Sequence, residues 1–242
     1  MSAGNPIVVI GGSRGTGLLI ARLLVSHGEL MRVPARNPAA ASRRLGSDVQ
    51  VVAADITKPD TLPSALGGAT AIILTAGVPS GVPARQAFVR ATDYEGVRNV
   101  IAAARHTGFA GRLLYLNSCG VTRPSLSATL LNLTKGNTLR WRRLAEEAIR
   151  SSGLDYTIIR VGFLLNRPGG EHELLVTQDA LPLAPRHLIA RADVAEVFVA
   201  ALDAPHASRA TFEVVWGARP AITAVPELLR HLEPDRAADA RA

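Results

Sequence analysis

The sequence is short of several things, and each shortage narrows what the chain can be. It has one cysteine in 242 residues, Cys119, so no internal disulfide can staple it. A lone thiol fits a reducing compartment, and a cytoplasmic protein is expected. Aromatics make up 4% of the chain, which leaves little for the base-stacking platforms of single-strand nucleic-acid binders. No apolar run approaches the roughly 20 residues of a membrane-spanning helix. The first apolar run is not led by the basic stretch of a secretory signal. Acids are outnumbered, 20 against 27 Lys+Arg, for a formal charge of +7. The arginines are scattered singly or in pairs, so nucleic acid is not the expected partner, whereas a positive field favours a polyphosphate ligand. The six histidines lack close pairing and Cys119 has no second thiol, so no metal site is expected. No Gly-x-Ser-x-Gly turn follows a strand, which argues against a hydrolase.

What the chain does have is a regular alternation of strand and helix patterns. Strand-like runs fall at 6–10, 30–34, 49–53, 70–75, 112–117, 155–161 and 211–216. Helical patterns lie between them at about 16–27, 38–45, 60–66, 85–107, 138–152 and 191–203. Alternation at this spacing predicts βαβ units in a Rossmann-type, doubly wound parallel sheet, an α/β fold with helices on both faces. Gly28, Gly108 and Gly153 stand where helices should stop. The stretches 122–137 and 163–190 break the rhythm with Pro, Gly, Asn and Thr. They are expected to form a small substrate lid, with His172 and His187 in the second. One domain is expected over 1–233, followed by a frayed Ala/Arg/Asp tail over 234–242.

The first βα junction carries the most chemistry. Ile7-Val8-Val9-Ile10 leads into Gly11-Gly12-Ser13-Arg14-Gly15-Thr16-Gly17-Leu18 and then an apolar helical pattern. A glycine turn there lets a diphosphate approach unpaired backbone N–H groups at a helix N-terminus, where the dipole favours an anion. A dinucleotide cofactor is therefore expected. Binders of NAD tend to place an acid about 20 residues after the glycines. Here Val33-Pro34-Ala35-Arg36-Asn37-Pro38 offers Arg36, whose planar fork suits a 2′-phosphate. NADP(H) is expected over NAD(H). Asp55, with Ile56 beside it, reads either as an acceptor for the adenine amino group or as a turn aspartate. Ala76 and Gly77 supply small residues where backbone would pass the ribose, or equally serve a turn.

Several stretches together resemble a known family. They are the glycine turn, Ala35-Arg36-Asn37-Pro38, Ala54-Asp55-Ile56, Asp93-Tyr94-Glu95-Gly96-Val97-Arg98-Asn99-Val100, Leu116-Asn117-Ser118, Ala145-Glu146-Glu147-Ala148, Ser152-Gly153-Leu154-Asp155-Tyr156-Thr157-Ile158-Ile159-Arg160 and Ile189-Ala190-Arg191-Ala192-Asp193-Val194-Ala195. In this order the chain is similar to atypical short-chain dehydrogenases/reductases of the NmrA-like NAD(P)H-binding branch. The resemblance implies cofactor contacts at Gly11, Gly15, Gly17, Arg36, Asp55, Ala76 and Ser118. Gly12, Ser13, Arg14, Thr16, Leu18, Ile56, Gly77, Asn117 and Arg142 complete the expected cofactor set. The glycine spacing departs from the branch and is closer to that of the Tyr/Lys-dependent reductases.

Many family members use a Tyr-x-x-x-Lys pair on one helical face for proton transfer. Here Thr138 and Arg142 stand at those positions, and threonine cannot replace a phenol as an acid. Arg142 reads as a contact to the nicotinamide ribose or a substrate anion, or as a solvated helix cation. Ser118 and Lys135 are the candidate catalytic residues, and Ser118 reads equally as a strand-end serine satisfying a loop. Tyr94 is expected to pack on its helix, Tyr156 to lie within a strand, and Trp141 to be a core or lid aromatic. The expected function is NADPH-dependent reduction of a small carbonyl, enone, imine, quinone or flavin. A non-catalytic NADP(H)-binding sensor is the alternative, with an epimerase or cyclase behind it. Relatives with the dyad often dimerise through helices like 85–107 and 138–152, so a homo-oligomer is one expectation.

Overall fold

The computed structural model describes residues 4–78, 84–220 and 223–236. Its central sheet has eight strands in the order β3-β2-β1-β4-β5-β6-β10-β8. These are β1 (Ile7–Ile10), β2 (Met31–Ala35), β3 (Val49–Ala53), β4 (Ala71–Leu74), β5 (Arg112–Ser118), β6 (Asp155–Val161), β8 (His172–Thr177) and β10 (Ala210–Pro220). All neighbours pair in parallel except β8, which runs antiparallel on β10. All seven expected strands form. A separate parallel pair joins β7 (Phe163–Leu165) to β9 (Leu188–Ala190).

Parallel strands covered on both sides must be apolar on both sides, and the side-chain alternation shows it. Val9, Ile73 and Leu114 face one core with Ile20, Leu24, Val194 and Phe198. Their neighbours Val8, Ile72 and Leu113 face the other with Leu62, Val97, Ala145 and Ile149. The first face is closed by α1 (Gly15–Ser26) and α8 (Arg191–Asp203), and the second by α3 (Leu62–Leu66), α5 (Gly96–His106) and α7 (Thr138–Arg150). Each fully buried Leu, Ile or Val contributes about 1.5–3 kcal/mol relative to exposure. Truncating Leu114, which is fully buried, should cost about 2–5 kcal/mol.

Local signals set the helix ends. In α2 (Pro38–Leu45), Pro38 occupies the first turn and Asn37 Oδ1 accepts the Ala40 N–H at 3.0 Å. Gly28, Gly108 and Gly153 all have positive φ after their helices. The helix expected over 85–107 is divided into α4 (Gln86–Arg90), a π-turn at Ala91–Glu95, and α5. The remaining helices are α6 (Leu126–Thr134) and α9 (Val225–Leu228).

The two stretches expected to form a lid contain regular structure. The 122–137 stretch contains α6, capped by Ser125 and packed through Ala128 and Leu131 on Leu139 and Val121. The 163–190 stretch is built into sheet, where Leu174 and Val176 join the core as part of β8. Of the two stretches only Leu164, among the described residues, lines the cleft at the carboxyl ends of β1, β2 and β4. His187 Nδ1 bonds Pro182 O and the His172 ring packs on Trp216. Within the C-terminal segment, Asp235 is tied to Arg150, Tyr156 and Thr211; residues 237–242 lie outside the described ones.

Candidate functional site

A cleft of about 340 Å³ opens at the carboxyl ends of β1, β2 and β4. The connection leaving β1 runs through α1 on one face of the sheet and that leaving its neighbour β4 runs through α5 on the other, so the two part there and leave a crevice. Gly11, Ser13, Arg14, Gly15, Thr16 and Gly17 form its floor. Gly11 has φ 90°, and a Cβ on it would stand 2.7 Å from Ala76 N, so the turn requires glycine. Gly15, at φ 57°, faces open space whose nearest heavy atom to a Cβ would be Arg191 Nη1 at 3.8 Å. A Cβ on Gly17 would collide with Gly11 O and Thr75 Oγ1.

The start of α1 has no side-chain cap, and its first turn holds no acid. Its leading N–H groups therefore face the cleft without a carboxylate or hydroxyl acceptor. Arg14, Arg36 and Arg191 line the same cleft, with Arg142 as a fourth guanidinium. Arg36 is exposed and has no partner among the described residues. Arg191 bonds Asn166 Oδ1 at 2.9 Å and Thr16 Oγ1 at 3.2 Å. Burial draws its pKa below the ordinary arginine value. An uncapped helix end, a glycine floor and unpaired cations together suit a bound diphosphate and a further phosphate. The donor set fits a phosphorylated dinucleotide.

The other expected cofactor residues divide. Arg36, Asp55, Ile56, Ala76, Gly77 and Arg142 line the cleft. Asp55 Oδ1 is engaged locally, accepting both the N–H and the hydroxyl of Thr57 at 2.9 Å. Gly12 and Leu18 do not line it; Gly12 packs on Val33. Asn117 lies beneath α7, with Nδ2 donating to Glu146, and its Oδ1 has no partner among the described residues. Ser118 donates to Cys119 O at 3.0 Å, so its hydroxyl turns back on its own strand end. Lys135 is buried and donates to Val78 O at 2.9 Å. Burial, then the nearby Arg142 charge, lowers its pKa.

At the dyad positions, Thr138 donates to Asp93 Oδ2 at 2.7 Å and Arg142 Nε to the same oxygen at 3.3 Å. Burial opposes the charge on Arg142, yet Asp93 and Tyr115 together outweigh it and raise its pKa. Tyr94 stacks on Trp141, and Tyr156 donates to Asp235.

Arg191, Thr75, Thr92 and Phe88 also line the cleft and are absent from the expected set. Arg191 stands in a stretch that carried the family resemblance, but 175 residues separate it from Thr16, so only folding joins them. Among the described residues no group of three or more His, Cys, Asp or Glu could hold a metal ion, and no helix is long and apolar enough to cross a membrane.

A family model described as NAD(P)H-binding matches residues 11–205. Sanguinarine reductase from Eschscholzia californica is 30% identical over 88% of this chain and 89% of its own length. An anaerobillin reductase from Escherichia coli O157:H7 superposes with a TM-score of 0.71 and 25% identity, covering 89% of this chain and 100% of its own. A Bacillus halodurans protein described as an NAD-dependent epimerase/dehydratase shares the fold, with a TM-score of 0.78, 24% identity and coverage of 95% and 100%.

Proposed function

We propose that this chain, which belongs to the NAD(P)H-binding family, is an NADPH-dependent reductase of a small organic substrate. The observation that carries the reading is the uncapped, acid-free start of α1 lining one cleft with Arg14, Arg36 and Arg191. Similarity to a sanguinarine reductase along most of both chains supports the reaction class. When bound, NADPH supplies a hydride. The chain's own residues would hold it: the α1 amides and Arg191 at the diphosphate, Arg36 at the 2′-phosphate, and the Ala76–Gly77 backbone along the second ribose. Arg142 stands at the far end of the cleft from Arg36 as a fixed positive donor, able to bind an oxygen that gains negative charge. It cannot deliver a proton at working pH. Lys135, whose pKa burial lowers and whose Nζ donates to Val78 O at the cleft wall, is the side chain we assign to do so.

The experiment is NADPH binding followed by fluorescence, with NADH in parallel, then NADPH oxidation against carbonyls, quinones and flavins. Arg36→Asp should weaken NADPH by at least tenfold more than NADH, about 1.4 kcal/mol of selectivity. Equal weakening would refute the 2′-phosphate assignment. A second reading, a non-catalytic NADP(H) sensor, is favoured by the engaged Ser118 hydroxyl and by Thr138 in place of a phenol. Tight binding with no turnover of any acceptor would select it.

A further inference from the structure

The π-turn at Ala91–Glu95 interrupts an otherwise continuous helical stretch from Gln86 to His106. A π-turn inserts a residue into the helical repeat and is found disproportionately at functional sites. Its effect here is to bring two neighbours to different duties. Thr92 lines the cleft, and Asp93 is 1% exposed behind it. Such a buried carboxylate is costly unless its oxygens are used, and these are. Oδ1 accepts the Val78 N–H at 3.1 Å, and Oδ2 accepts the Thr138 hydroxyl at 2.7 Å and Arg142 Nε at 3.3 Å.

The Arg142 side chain is held at two points. Beyond Asp93, its Nη1 donates to Leu116 O at 3.4 Å. Nη2 has no hydrogen-bond partner among the described residues and lies against Gly77, where a Cβ would stand 2.7 Å from it. Gly77 thus leaves room for the guanidinium at the cleft wall. A free arginine would sample many rotamers and lose that freedom when fixed; Asp93 takes up that ordering before any ligand arrives.

We infer that Asp93 is a positioning residue, which aims Arg142 across Gly77 into the nicotinamide end of the cleft. Thr138 holds the carboxylate in line, so the helix positions elsewhere given to a phenol and an amine here form an Asp93–Thr138–Arg142 relay. This rests on the reading of the cleft as an NADP(H) site.

The test compares two probes by titration: NADPH, and 2′-phosphoadenosine 5′-diphosphoribose, which keeps every phosphate but lacks nicotinamide. Asp93→Asn and Arg142→Met should each weaken NADPH about tenfold, a charge-assisted bond's worth, and leave the fragment within twofold. The double variant should be no weaker than Arg142→Met alone, because one contact is lost either way. Arg142→Lys should recover part of the affinity when Asp93 is present and none with Asp93→Asn. Unchanged NADPH affinity in Asp93→Asn, parallel loss of both probes, or additive losses would overturn the inference. If Asp93→Asn does not fold, Thr138→Val removes a single bond from the carboxylate; selective loss of NADPH affinity supports the relay and no loss overturns it. Wild-type protein that binds the fragment but gains nothing from nicotinamide sinks the relay alone. Wild-type protein that binds neither probe sinks the cofactor reading as well.

Discussion

Arg36 and Arg191 are both cations on one cleft, yet their replacement should read differently. Arg191 stands at the glycine floor, where the proposed reading puts the phosphate bridge common to both nicotinamide cofactors. Arg191→Met should therefore weaken NADPH and NADH alike, by about tenfold from one charged hydrogen bond, as isothermal titration would show. Discrimination between the two cofactors in that variant would place Arg191 elsewhere. Glu213 offers a second test at this scale. It is buried, its Oε2 has no partner among the described residues, and burial raises its pKa against the opposing pull of Cys119 and Arg160. A carboxyl raised on folding stabilises the native state fully below its unfolded value, about 4.3, and that contribution is lost as pH rises through the folded value. The stability of wild type relative to Glu213→Gln should fall as pH rises above about 4.3 in urea melts. A relative stability that climbs over that range would mean Arg160 outweighs burial.

Among the elements, α7 bears most on the site. Its outer positions carry Arg140 and Arg143, and its inner face carries Glu146, which is fully buried. That carboxylate accepts from Arg160 Nε at 2.8 Å and Arg160 Nη2 at 2.7 Å, and Arg150 Nη2 forms an ion pair with it at 3.1 Å. Removing one member of such a buried group strands the others. Glu146→Ala should cost about 3–5 kcal/mol in equilibrium unfolding, and a loss below 1 kcal/mol would show that water replaces the carboxylate. The apolar period of α7 was readable from the sequence, whereas α6 was not. In α6, Leu126, Leu130 and Leu133 face outward at 87%, 59% and 77% exposure, while the packed side rests on Ala128 and a partly buried Leu131. Apolar residues on the solvent side erase the amphipathic contrast that marks a surface helix. β8 was hidden for a related reason: His172 and Glu173 open a strand whose apolar partners lie on β10, far along the chain.

For the whole molecule, a ligand held by the native state alone must stabilise it. NADPH at a hundredfold excess over its dissociation constant should add about 2.7 kcal/mol to unfolding, with a matching rise in melting temperature. No rise would contradict native-state binding. The C-terminal segment acts on the opposite account. Asp235 joins α7, β6 and β10 through Arg150, Tyr156 and Thr211. Asp235→Ala should lower stability by about 2–4 kcal/mol, since charged bonds are lost and a buried guanidinium loses a partner. It should leave NADPH affinity within twofold, because the segment does not line the cofactor cleft; a larger drop in affinity would show that the two regions are coupled.

The sequence by itself determined the alternation of strands and helices, the glycine turn at the head of α1 and the cation that follows β2. Each of these is a local matter: a β-branched run, a residue without Cβ, a charge a fixed distance from a strand end. Tertiary structure decided which candidates reach the cleft. It set Arg191 beside Thr16, turned Ser118 toward its own chain, and bound Asp93 to Thr138 and Arg142 across 45 and 49 residues. Those pairings depend on how the two helical layers register on the sheet, and spacing along a chain carries no record of a distance through space.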